Sequence, residues 1–318
     1  MSERFDVCVL GSLNVDFVAS VARRLRRGET VTSLGLDIVP GGKGANQALA
    51  AARLGARTAL IGRVGGDPYG TDLRNRLADE GVDVTYVRID PEAPTGLAII
   101  IVEPSGQNSI ILAPGANARV GLADVEAAEP FIRTTKALVV QMEMPASVAS
   151  RALHLARSIG VRTIFNQAPA LPIDRSALEC VDLLIVNETE AEVLTGVDVD
   201  GLAGARRAAA ILRSTGPGAA IVTMGGSGAV VDGPDGQDFV PAFVVDVVDT
   251  TAAGDAFVAA TTLAWLAGQN LAVAAGYGSQ VAALTVGRRG AQPSLPTAEE
   301  VAAWRPPGGE RSQFRPSF

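Results

Sequence analysis

The chain is poor in the residue types on which many catalytic strategies depend. It has one histidine, His154, and two cysteines, Cys8 and Cys180. His154 falls inside the helical pattern Ala152-Leu153-His154-Leu155-Ala156 and reads as structural, which removes imidazole-based mechanisms unless this residue serves. Both cysteines lie in apolar runs and read as small buried hydrophobes. Two of them cannot build a disulfide framework, and no Cys/His spacing fits a metal site. Aromatic residues make up only 4% of a chain that is 47% hydrophobic, so the core must be mainly Ala, Val, Leu and Ile. That mix suits helices packed on a Val/Ile-rich parallel sheet. Lys plus Arg number 27 against 34 for Asp plus Glu, with no sustained basic block, which argues against a nucleic acid or an anionic membrane surface as partner. No apolar run reaches membrane-spanning length. Met1–Arg4 runs into a strand without a signal-type apolar region, so a soluble, cytoplasmic protein is expected. A length of 318 residues allows one large domain or two small ones.

What the chain does contain is alternation. Strands are expected at Phe5–Leu10, Arg57–Gly62, Ala137–Gln141, Val161–Asn166, Asp182–Val186 and Ala219–Met224. Helices are expected at Ala48–Leu54, Thr71–Glu80, Ala146–Ile159, Leu202–Ser214, Ala256–Ala267 and Leu271–Val286. Such alternation predicts an α/β fold with a doubly wound, mostly parallel sheet flanked by helices. Further β-rich runs near residues 15 to 21, at Thr30–Val39, and at Thr95–Glu103 and Asn108–Ala113 (a hairpin turning at Pro104–Gln107) predict a small separate β-sheet.

The stretch Asp249-Thr250-Thr251-Ala252-Ala253-Gly254-Asp255 follows an apolar, strand-like run at Phe243–Val248 and opens a helix. Small residues at 252 to 254 leave backbone N–H groups uncovered where the helix dipole is positive, which makes an anion site. Asp255 adds a carboxylate at its rim. Anion hole plus base is the minimum for phosphoryl transfer, whose loose transition state is served by a weak base acting late. The plain alternative is an N-terminal helix carboxylate after a turn glycine.

Other groups cluster at strand ends, where open α/β sheets bind ligands. Asn14 and Asp16 share a face if extended, and amide plus carboxylate suits a polyhydroxyl ligand; an ordinary Asx turn is the alternative. In Pro40-Gly41-Gly42-Lys43-Gly44-Ala45-Asn46-Gln47, the glycines permit close approach, and Lys43 and Asn46 supply donors in what reads as a turn. It is not a Walker A loop, since Gly44 follows the lysine. Glu143, Asn187 and Glu190 fall just past strands, where carboxylates beside phosphates hold hydrated magnesium; Asn187 and Glu190 also fit a capping box. Thr223-Met224-Gly225-Gly226-Ser227-Gly228 offers open backbone to nucleotide phosphates and ribose, although such turns also join hairpins.

The stretches GGKGANQ (Gly41–Gln47) and DTTAAGD (Asp249–Asp255) resemble the two signature regions of the ribokinase (PfkB) family of carbohydrate kinases. The resemblance runs from Val9 to Pro296 and includes Gly11–Asp16 and Arg289–Ser294. It implies ATP-dependent phosphorylation of the primary hydroxyl of a pentose, D-ribose, to the 5-phosphate. Asp255 would be the base, and the backbone of Ala252, Ala253, Gly254 and Asp255 the anion hole. Asn14, Asp16, Gly42, Lys43, Asn46 and Glu143 would hold the sugar. Asn187, Thr223, Gly225, Gly226, Ser227, Gly228, Gly254 and Ser279 would face ATP. Ser279 departs from the His or Asn that relatives often carry against adenine. Glu190 would hold Mg2+ through water. Asp249, Thr251, Thr285, Arg288, Gly290 and Ser294 would bind an activating K+, several through backbone oxygens. The strands at about 14–40 and 95–114 would form a lid over the sugar and a homodimer contact. One kinase domain would span 1–305, with a flexible tail at 306–318. A relative acting on fructose, deoxyribose, pseudouridine or adenosine, or an idle sugar-binding sensor, are the alternatives.

Overall fold

The computed structural model describes residues 5–104 and 108–306. The expected turn at 104–107 and the expected tail therefore lie largely outside the described residues. Among the described residues, thirteen strands form two sheets. Those of the large sheet are β1 (Phe5–Leu10), β4 (Thr58–Gly65), β5 (Asp83–Asp90), β8 (Thr135–Val140), β9 (Arg162–Asn166), β10 (Leu183–Asn187), β11 (Ala219–Thr223), β12 (Ala229–Gly233) and β13 (Gly236–Val240). Those of the small sheet are β2 (Asn14–Ser20), β3 (Gly35–Gly41), β6 (Gly96–Val102) and β7 (Asn108–Ala113).

The large sheet has the order β13-β12-β11-β10-β9-β8-β1-β4-β5. Its strands are parallel from β5 across to β11, and β12 and β13 close one edge antiparallel. Alternate residues feed two cores, as the period of a strand requires. Val7, Val9, Val139, Ile164, Ile185 and Ile221 face the helices Lys43–Arg53, Pro68–Asp79, Ala253–Leu266 and Leu271–Val286. Cys8, Leu10, Leu138, Val140, Phe165 and Leu184 face the helices Leu122–Ile132, Ala146–Ser158 and Gly201–Ser214 on the other side. The doubly wound reading is met. From β1 the chain builds outward through β4 and β5, then returns to lay β8 on the opposite flank of β1. The order therefore reverses between β1 and β8, and the carboxyl ends at such a reversal are where open α/β sheets bind ligands.

The small sheet has the order β3-β2-β6-β7, with β2 and β6 parallel and the outer pairs antiparallel. Its paired rows put Ile38, Phe17, Ile99 and Ile111 side by side, and the next row puts Val39, Asp16, Ala98 and Leu112 side by side.

Three expected elements differ. The strand expected at Thr30–Val39 begins only at Gly35, because its partner β2 ends at Ser20, which pairs with Gly35. The helix expected at Ala48–Leu54 begins at Lys43, so the glycine-rich stretch is divided: Pro40 and Gly41 end β3, Gly42 is the turn, and residues 43–47 are the first helical turns. The apolar run Phe243–Val248 forms no strand: β13 is already the sheet edge, and Val244 is 85% exposed. Strands β5, β12 and β13 and the helix Leu122–Ile132 had no counterpart in the expected elements. Among the described residues, no helix is long and apolar enough to cross a membrane.

Candidate active site

A helix starting at Lys43 places Lys43, Asn46 and Gln47 on one side, three and four residues apart. That helix sits close against the end of β1. A Cβ on Gly44 would lie 2.5 Å from the Gly11 carbonyl carbon, so only glycine allows the approach. The helix Ala253–Leu266 is the other wall, buried without a break from Asp255 to Ala264. Between them lies the Asp255 carboxylate, 7% exposed. Asn46 Nδ2 donates to its Oδ2 at 2.9 Å, and Gln47 Nε2 donates to its Oδ1 at 2.9 Å. The two signature stretches, some two hundred residues apart in sequence, thus meet through side-chain hydrogen bonds.

The helix that carries Asp255 is entered through Ala252, whose φ of 62° is left-handed. It is the one non-glycine residue so held among the described residues, at a steric cost of roughly 1–2 kcal/mol. The Ala253 N–H closes this turn on the Thr250 carbonyl at 3.3 Å, and the Cα of Gly254, the next residue, borders open space. An exposed N-terminus without a side-chain cap is suited to an anion.

Three carboxylates, Asp255, Glu143 and Glu190, act on Lys43, and Asp16 joins the cluster through Glu143 and Asp255. Burial pulls the Lys43 ammonium down, and Asp255, Glu143 and Glu190 more than offset this, holding it above the ordinary lysine value. Asp16 is pushed up to about 7, by burial first and then by Glu143 and Asp255. Burial also raises Glu190, with Asp255 adding to the shift while Lys43 and the Asn187 N–H oppose it. Asp16 starts the small sheet with Asn14, both on one face of β2 and both buried. Its carboxylate fills the place that a Cβ on Gly41 would take. Ser12 Oγ donates to Glu143 Oε2 at 2.5 Å, and the Lys43 N–H reaches the same oxygen at 3.3 Å. Gly42, with φ 91°, turns the chain into the Lys43 helix. Asn14 Oδ1 accepts from Asn117 Nδ2 at 2.8 Å.

Asn187 and Glu190 form the reciprocal capping box that their spacing suggested, at 2.8 and 2.9 Å, opening the helix Glu188–Thr195. Parallel pairing sets Asn187 beside Thr223 at the carboxyl ends of β10 and β11. From Thr223 the chain turns through Gly225, Gly226, Ser227 and Gly228, closed by Met224 N–H to Gly228 O at 2.7 Å, and the Cα atoms of Gly225 and Gly226 border open space. Ser279 is buried in the helix Leu271–Val286, and no hydrogen bond among the described residues ties it to that turn.

Asp249 organises a second loop contact. Its Oδ1 accepts from the Thr251 N–H and hydroxyl at 2.9 and 2.6 Å, and its Oδ2 from the Gly290 N–H at 2.8 Å. Burial raises this carboxyl, but the bonds from Thr251 and Gly290 outweigh it and leave it below the ordinary aspartate value. Thr285 closes the Leu271–Val286 helix, its carbonyl accepting from the Arg288 N–H at 3.1 Å. The Arg288 guanidinium pairs with Glu300 at 2.8 and 3.0 Å, so only its backbone is left for this loop. Ser294 is buried, with its hydroxyl on Ala291 O.

Sequence reasoning missed four polar residues here. Asn117 clamps Leu13 and Asn14; Gln141 and Asn166 contact Gln47; and Gln47 itself carried no assigned role. Gln47 was legible only by helical spacing from Lys43, which the later expected helix start concealed. Cys180 is half-buried rather than buried, with its sulfur 3.3 Å from His154 Nδ1, and His154 also contacts Ser176.

The family model for pfkB family carbohydrate kinases matches residues 4–298. Over 298 residues the chain is 39% identical to the ribokinase of Haemophilus influenzae, covering 94% of this chain and 97% of that protein. It is 35% identical over 297 residues to the deoxyribokinase of Salmonella typhi, covering 93% and 97%. Among solved structures, Arabidopsis thaliana ribokinase complexed with ribose and ATP matches with a TM-score of 0.85 at 31% identity, covering 94% and 98%. Matched along nearly its whole length in both sequence and fold, the chain belongs to the pfkB family of carbohydrate kinases.

Proposed function

We propose that this enzyme transfers the γ-phosphoryl group of ATP to the primary hydroxyl of D-ribose, giving D-ribose 5-phosphate. The observation that carries the reading is the Asp255 carboxylate, held at both oxygens beside an uncapped helix N-terminus. Ribose and ATP are named in the solved relative from Arabidopsis thaliana. Asn14, Asp16, Lys43, Asn46 and Glu143 grip the sugar hydroxyls, with Gly42 giving backbone access. Asn46 supports this directly: its Nδ2 is used by Asp255, and its buried Oδ1 has no partner among the described residues, ready to accept from a hydroxyl.

Asp255 takes the proton of the primary hydroxyl as that oxygen attacks phosphorus. The N–H groups of the 252–255 turn face the charge that develops on the transferred group, each well-placed donor contributing roughly 3–4 kcal/mol by analogy with oxyanion sites. Asn187, Thr223, the turn at Gly225 to Gly228 and Ser279 take the nucleotide, Gly254 the phosphates. Glu190 fits a water-mediated partner for magnesium. The carboxylates of Asp16, Glu143, Glu190 and Asp255 outnumber the one lysine among them, which favours a cation. When bound, that ion would neutralise phosphate charge. The ionised Asp249, with backbone oxygens of Thr251, Thr285, Arg288, Gly290 and Ser294, fits a potassium ion that would steady the 249–255 turn. The apolar row on the small sheet fits a homodimer contact.

The test is ATP consumption with and without D-ribose, in magnesium, comparing potassium with sodium. Ribose-dependent turnover that rises with potassium is expected. The Salmonella typhi relative keeps deoxyribose as the second reading, so deoxyribose, fructose, pseudouridine and adenosine complete the panel. Asp255→Asn should lower turnover by about 10³-fold while sugar binding persists. Activity within a few-fold of the parent would remove Asp255 as the base. Sugar binding without turnover of any panel member would leave a sensor.

A further inference from the structure

The proposed base is held from two sides, and the two amides that hold it are not equivalent. Asn46 keeps an oxygen free for substrate. Gln47, 1% exposed, keeps nothing free. Its Nε2 donates to Asp255 Oδ1 at 2.9 Å and to Asn166 Oδ1 at 3.0 Å. Its Oε1 accepts from Gln141 Nε2 at 2.5 Å. With both donors and the acceptor engaged inside the protein, Gln47 has no group left to meet a sugar or a nucleotide.

The direction of this amide is set from the sheet. The Ile185 carbonyl on β10 can only accept, and it takes Asn166 Nδ2 at 3.0 Å. Asn166 must therefore turn its Oδ1 toward Gln47, and Gln47 must answer with its NH2. Gln141, immediately after β8, supplies the donor on the far side of the same amide. A flipped Gln47 would set its carbonyl against both Asn166 Oδ1 and the Asp255 carboxylate, while its NH2 faced another NH2. The chain of amides thus runs from the backbone of the central sheet to one oxygen of Asp255.

We propose that Gln47 is a positioning residue that fixes the rotation of the Asp255 carboxylate for proton transfer, and that Gln141 and Asn166 lock its amide in the donating sense. This rests on the reading of Asp255 as the base. A carboxylate pinned at both oxygens cannot turn about its Cβ–Cγ bond, so one lone pair stays directed at the incoming hydroxyl. Loss of the pin lets the carboxylate rotate, which slows the chemical step and leaves substrate contacts in place.

Gln47→Met and Gln141→Met, their double variant and Asp255→Asn would be compared with the parent, using Mg-ATP and whichever panel sugar turns over fastest. Gln47→Met is expected to lower the single-turnover rate roughly 10–100-fold. The sugar Kd from calorimetry and the ATP KM should stay within about threefold, which separates positioning from binding. Gln141→Met should lower the rate a few-fold and add nothing in the Gln47→Met background, since it acts through Gln47. A parental rate for Gln47→Met, beside an inactive Asp255→Asn, overturns the proposal and leaves the base in place. Weakened sugar binding that accounts for the whole loss also overturns it. Substantial activity in Asp255→Asn removes the base and this proposal with it. If Gln47→Met does not fold, Gln141→Met decides, and an unchanged rate there overturns the proposal.

Discussion

Asp16 carries a burden that substrate hydroxyls would relieve. Its carboxyl stands at about 7 against an ordinary 3.8, because burial and the neighbouring Glu143 and Asp255 all disfavour its charge. The folded protein therefore holds a proton there that the unfolded chain has released, so this contribution to stability is full below the ordinary aspartate range and is lost as pH rises through 7. Asp16→Asn removes the titration. Without sugar, the variant should gain stability relative to the parent from about pH 4 to pH 8, by at most roughly 4 kcal/mol, in denaturant melts. A difference that does not change with pH would show that Asp16 is not the group strained by charge. The same residue shows what was legible at this scale. Asn14, Asp16, Lys43, Asn46 and Asp255 could be singled out because their types and spacing announce polar chemistry at strand ends. Gln141 and Asn166 could not, since a single amide at a strand end carries no signal until the partner it meets is known.

At the scale of elements, the site depends on how closely the helix Lys43–Arg53 lies on the end of β1. Gly44→Ala would drive a methyl into the Gly11 backbone, where no flexible side chain can move aside. It is expected to cost about 1–3 kcal/mol in thermal or denaturant melts. It should also raise the sugar KM, since Lys43 and Asn46 ride on the displaced helix. Parental stability would mean that the helix shifts without strain. Element types along the large sheet were readable because buried parallel strands are continuous apolar runs separated by helical periods. The failures share one cause: apolar, β-branched sequence makes a strand only where a neighbour offers its hydrogen bonds. Thr30–Val39 outran β2, and Phe243–Val248 met a sheet whose edge β13 already occupied. The glycines at 41, 42 and 44 concealed a helix start for the opposite reason. Glycine disfavours helix by propensity, but here it is chosen for close approach.

For the whole molecule, the small sheet presents Ile38, Ile99 and Ile111 in one row, each substantially exposed. An apolar row of this kind across a four-stranded sheet fits a partner surface better than water. The protein should sediment as a dimer at micromolar concentration, and Ile99→Asp should return it to monomer. A monomeric parent would discard the dimer. The architecture followed from the alternation of strands and helices, whereas the homodimer contact was expected only through the family resemblance, because exposure is a property of the folded surface rather than of the run of residues. Strand β2 serves both sides of that sheet. Asp16 turns to the carboxylate cluster, and Phe17, one residue on, lies in the apolar row and stacks edge-on with Tyr69 at 5.9 Å. Two neighbouring positions thus answer to different tasks on opposite faces of one ribbon. A one-residue insertion or deletion between Gly11 and Ser20 would exchange the two faces at a stroke. The connection from 22 to 33 lies beyond the last ladder bonds, Val21 N–H to Val102 O and Leu34 N–H to Ser20 O, so a change in its length should leave both faces where they are, whereas a change within the strand should not.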